Sequence, residues 1–145
     1  MERLQLTNIY NKDMEYIGIV GSSKATTTEQ VVNTVCSILD RYNKINTTIV
    51  SGGAKGIDTI AVGIARSLEY DVLEFLPKGK GWQYYKPRNI LIANKCEKVY
   101  SIALSLNDER RRCYHHVLDK LDDNHTKTAG CWTANRCKEH EVLVA

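Results

Sequence analysis

Short β-branched runs alternate along this chain with longer stretches whose apolar residues recur at helical spacing. Residues 15–20, 47–50, 72–76 and 98–104 read as core strands, and 142–144 as a final strand. After the first of them, Val31, Val32, Val35, Ile38 and Leu39 form an apolar helical stripe, and Thr26-Thr27-Thr28-Glu29 offers a capped start. A second helix spans 57–68, burying Ile60, Ala61, Ile64, Ala65 and Leu68. The 82–94 stretch predicts a third, with Pro87 near a helix start rather than its middle. The 107–123 stretch is polar and helical in part, and 133–139 is a short helix. Residues 1–13 read as an extension or short edge strand ahead of one domain over 14–145.

Strands and helices alternating at these lengths predict an α/β fold: a mostly parallel sheet with helices on both faces, in three layers. Such sheets bind ligands beyond the carboxyl ends of their strands, near the point where strand order reverses. Gly21, Gly52 and Gly130 all fall on connections of that kind.

Two segments carry candidate chemistry. Ser51-Gly52-Gly53-Ala54-Lys55-Gly56-Ile57-Asp58 lies between a strand and a helix, so its glycines let backbone approach a ligand and amides at the helix start can face an anion. Pro87-Arg88-Asn89 sets an arginine and an asparagine at the front of another helix. The first loop is not a Walker A sequence, because the Gly-Lys-Ser/Thr ending is missing, and Gly18 to Ser22 is not a complete dinucleotide fingerprint.

With Gly21-Ser22-Ser23, the Ser51–Asp58 loop, Pro87-Arg88-Asn89 through Ala93, and Gly130-Cys131-Trp132-Thr133-Ala134, residues 16–144 resemble the SLOG superfamily of Rossmann-like nucleotide-binding proteins. The nearest likeness is to its DNA-processing protein A branch and to small phage or viral relatives. The resemblance implies a phosphate-binding role for Gly52, Gly53 and Gly56, with Gly21, Ser22, Ser23, Ala54 and Lys55 alongside. It puts Arg88 and Asn89 beside the same pocket, and matches Gly130 and Thr133 to another ligand-side loop and helix start. Asp58 either orients the glycine loop or is simply a first-turn helix acid. Glycoside-cleaving members carry a glutamate three residues after the loop threonine. Arg136 stands there in this chain, so little N-glycosidic hydrolysis is expected.

Charge changes the picture locally more than globally. The net charge is +3 over 145 residues, yet Lys78, Lys80, Lys86, Arg88, Lys95 and Lys98 surround Trp82, Tyr84 and Tyr85 with Glu97 as the sole acid of that span. Lysines can gather a phosphate backbone while rings stack bases, which makes Lys80, Trp82, Tyr84 and Lys86 nucleic-acid candidates; a solvated helix with a ring tucked against the sheet accounts for the same pattern. Cys113, His115, His125, Cys131 and Cys137 crowd the last third, but without metal-site spacing they read as core or surface residues, and no metal or cofactor is assigned. The odd cysteine count, the lack of a signal-peptide core and the lack of a bilayer-length apolar run point to a reducing cytoplasm (a host's, if viral). The functional expectation is a binding protein for a nucleotide or nucleotide-derived ligand. Single-stranded DNA binding, nucleotide processing and a homo-oligomeric assembly role stay open beside it.

Overall fold

The computed structural model describes residues 14–104 and 129–145. The elements run β1 (Glu15–Gly21), α1 (Glu29–Leu39), β2 (Thr47–Ser51), α2 (Ile57–Ser67), β3 (Asp71–Glu74), α3 (Trp82–Lys95), β4 (Lys98–Ala103), α4 (Ala129–Arg136) and β5 (His140–Val144). The strands form one sheet in the order β3-β2-β1-β4-β5, every pairing parallel. The chain steps outward from β1 to β3 and then returns to β4 on the other side of β1, so strand order reverses between β1 and β4. The α/β reading, with its mostly parallel sheet in a Rossmann-like arrangement, therefore holds.

Central strands covered on both faces need apolar side chains in both directions, and these have them. Ile17 and Ile19 of β1, Ile49 of β2, and Tyr100 and Ile102 of β4 pack with Val31, Val35, Ile38 and Leu39 of α1 and Ile57, Ala61 and Ala65 of α2. Val20, Val50 and Val99 point the other way, onto Ile92 and Ala93 of α3 and Ala134 of α4. The Thr28 hydroxyl accepts from Val31 N at 3.2 Å and so caps α1.

Several boundaries differ from the sequence reading, among them the third strand, which is Asp71–Glu74 rather than 72–76. Pro87 lies inside α3 rather than near its start. Its missing N–H leaves the Gln83 carbonyl without the usual partner, but Gln83 is exposed and water can take that bond. The last helix is Ala129–Arg136 rather than 133–139, so Gly130 and Thr133 are helical and do not form a loop. The last strand starts at His140, because pairing with Val99 extends it. The 1–13 extension, the polar 107–123 stretch, Cys113, His115 and His125 lie outside the described residues. No described helix is long and apolar enough to cross a membrane.

Candidate functional site

The loops that follow β1, β2 and β3 gather at the carboxyl ends of the strands, where a parallel sheet holds ligands. The first two interlock through backbone. Ser22 O accepts the N–H of Ile57, the first residue of α2, at 3.1 Å. Gly56 has φ +80°, and a Cβ there would stand 2.2 Å from Ser22 O, so only glycine lets the loops meet this closely. Gly21 ends β1, Ser22 is buried, and Ser23 and Lys55 are exposed on the rim.

The glycine loop closes around a carboxylate belonging to the protein. Asp58 is buried in the first turn of α2 and accepts the Gly52 N–H at 3.2 Å, and the backbone of Ala54 and Gly21 also favours its charged form. The Gly53 N–H donates to Ser51 Oγ at 3.2 Å. Two amides that the sequence reading turned toward a phosphate are thus engaged inside the loop. Burial pushes the Asp58 carboxyl up to about 6, against the Arg88 charge and these backbone groups, which pull it down.

Arg88 holds the other side of the loop. It is buried, donates through Nη1 to Gly52 O and through Nε to Asn89 Oδ1 at 2.7 Å, and lies 5.4 Å from the Tyr85 ring centroid. A Cβ on Gly52 would meet Arg88 Nη1 at 2.7 Å, so this glycine makes room for the guanidinium. Burial lowers the Arg88 pKa while the Asp58 charge raises it. Asn89 is buried beside Arg88, and its Nδ2 has no hydrogen-bond partner among the described residues. Asp58, Arg88, Asn89 and Gly52 are therefore brought together.

Two surface hollows divide the expected site residues. Lys55 and Gly56 line one of about 340 Å³ with Thr26, Thr27 and Thr59. Arg88 and Tyr84 line another of about 200 Å³ with Leu76, Pro77, Lys78 and Leu91. Thr133 is buried in α4 and lines neither.

Lys80, Trp82, Tyr84 and Lys86 are all exposed at the start of α3 or just before it. Trp82 meets Trp132 of α4 edge to face, centroids 4.9 Å apart, and Arg136 lies 5.0 Å from the Trp132 centroid. Trp132 as a ring contact, and Leu76 and Leu91 as exposed apolar residues, were not among the sequence candidates. The signal for the first was that the chain has only two tryptophans. For Leu91 it was an apolar residue next to the stripe formed by Ile92 and Ala93 instead of on it. Cys137 is buried, with its thiol 3.4 Å from Cys96 O, and burial raises both thiols.

Residues 7–116 match the family described as DNA recombination-mediator protein A, a stretch holding the Gly21, Gly52 and Arg88 motifs. The chain belongs to this family. The Gly130–Ala134 motif lies beyond the family's matched stretch. DNA processing protein A from Streptococcus pneumoniae, solved by X-ray diffraction, shares the fold at 16% identity with a TM-score of 0.53. The match covers 95% of this chain but 60% of the pneumococcal one. No curated protein matches the sequence.

Proposed function

We propose that this domain binds single-stranded DNA at the carboxyl ends of its strands, as an accessory in DNA processing. The observation that carries this is the segment from Phe75 to Asn94, which has four cations, no acid, and two exposed rings, Trp82 and Tyr84, beside the family's Arg88 motif. Lys78, Lys80 and Lys86 supply phosphate contacts, and the rings supply sequence-tolerant stacking. Ser23 and Lys55 extend the phosphate track across the glycine loop.

The test is fluorescence anisotropy with a labelled single strand and a duplex of equal length. The single strand binds more tightly, Lys80→Glu with Lys86→Glu weakens it about tenfold or more, and Trp82→Ala weakens it with little change in salt dependence. Equal affinity of wild type and the double charge variant overturns this surface.

A second reading, a free nucleotide seated over the glycine loop, is favoured by the hollow where Lys55 stands among three threonines. Ser22, Gly53, Ala54 and Asn89 belong to this reading as loop and pocket-wall residues. Calorimetry against a nucleotide panel decides it: saturable heat that Lys55→Ala abolishes supports it, and no heat from any member removes it.

A further inference from the structure

The stretch between β3 and the buried part of α3 is joined to the fold at few points. We propose that residues 78–86 form a flap that opens about Pro87 and is held shut when a single strand binds, a step that rests on the single-strand reading above.

The backbone is interrupted on both sides. The chain's two prolines, Pro77 and Pro87, bracket the stretch. The Phe75 N–H reaches Ser51 O at 2.9 Å, and no backbone N–H from Leu76 to Gln83 finds a backbone acceptor among the described residues. Tyr84 and Tyr85 then both donate to Gly81 O at 3.0 Å, within the stretch itself. Gly81 stands before α3 at φ +103°, and no side chain caps the helix. Pro87 lies past the first turn of α3, where it removes the bond to Gln83 O that would tie that turn to the next.

Side-chain packing changes at the same residue. Trp82, Gln83, Tyr84 and Lys86 are exposed, whereas the buried residues of α3 are Arg88, Asn89, Ile92 and Ala93, all past Pro87. Tyr84 packs on its own stretch, since a Cβ on Gly79 would stand 2.8 Å from the ring, so the flap moves as a unit. The ring contacts that join it to the rest are Trp82 edge to face on Trp132 and Tyr85 beside Arg88. No side-chain hydrogen bond or ion pair adds to them among the described residues.

Charge loosens the turn further. It holds no acid, and Lys80 and Lys86 put positive charge near a helix end that favours negative. A turn with so few ties opens by local unfolding while the buried part of α3 stays in place. The phosphates that these lysines gather supply the missing negative charge, so a bound strand favours the closed turn.

The test is amide hydrogen exchange read residue by residue by NMR on the full chain, free and with oligo(dT) whose binding is confirmed by anisotropy. In the free protein Tyr85 and Lys86 exchange about tenfold or more faster than Ile92 and Ala93, with the step at Pro87. Pro87→Ala, at an exposed position, restores the missing bond and slows Tyr85 and Lys86 about tenfold or more. Trp132→Ala, outside the flap, speeds them and leaves Ile92 and Ala93 unchanged. Bound oligo(dT) slows them about tenfold or more. Equal exchange on both sides of Pro87 overturns the flap. A smooth gradient along α3 that Pro87→Ala does not alter is ordinary end fraying and also overturns it. Fast flap exchange that persists with the strand bound overturns closure by DNA, and absence of binding by anisotropy overturns the single-strand reading itself.

Discussion

At the scale of single residues, Asp58 is the group on which the glycine loop depends. Its carboxyl sits at about 6 in the folded protein, above its ordinary value near 4 in an unfolded chain. The folded state therefore holds the proton more tightly, and this group's contribution to stability is fully present below pH 4. It is lost as pH rises to 6, by on the order of 3 kcal/mol, and is level above that. Urea unfolding at pH 4 to 7 measures this, and Asp58→Asn, which cannot ionise, is expected to remove the slope. A slope unchanged in that variant would place its origin in other groups. Gly56→Ala tests the loop junction: a side chain at φ +80°, against Ser22 O, costs about 2 kcal/mol or more. A midpoint shift in chemical denaturation reports it.

At the scale of elements, most of the architecture was readable because periodicity follows burial. The strands alternate between two cores, and the stripes of α1 and α2 pack there, except that Leu68, read from the sequence as buried, is exposed just past the end of α2. α3 was less legible because its inward face includes Arg88 and Asn89 beside Ile92 and Ala93, so polarity does not mark its sides. The candidate site was legible as motif and not as contact. Three glycines before a helix read as a phosphate cradle, yet Gly52 accommodates Arg88 and Gly56 accommodates Ser22, partners distant in sequence. Trp132 meets Trp82 only once α3 and α4 pack together. The contrasting glycine is Gly63, exposed within α2, where a Cβ meets nothing within 4 Å. Gly63→Ala is expected to stabilise the protein by about 0.5–1 kcal/mol through the helix backbone alone. Thermal unfolding gives the sign directly.

At the scale of the whole molecule, the question is whether net charge or its placement drives binding. A net charge of +3 is too small to attract a polyanion broadly, and ion pairs such as Lys44 with Glu69 at 3.3 Å are spread over the surface. The acid-free stretch through α3 instead sets Lys78, Lys80, Lys86 and Arg88 toward the carboxyl ends of the strands, while Lys95 lies at the other end against the Tyr16 ring. Lys44 and Lys138 lie at the opposite end, just before β2 and β5 begin. Two double variants separate the cases: Lys80→Glu with Lys86→Glu, and Lys44→Glu with Lys138→Glu. Both change the net charge from +3 to −1. If placement decides, only the first loses affinity, and its plot of log affinity against log salt flattens by about 1.4, the release expected for two single-strand phosphate contacts. The second keeps the wild-type slope, with affinity within about twofold at 0.15 M salt, where screening weakens distant charges. Equal losses in both variants would mean that the whole molecule's charge attracts DNA and that α3 forms no defined track.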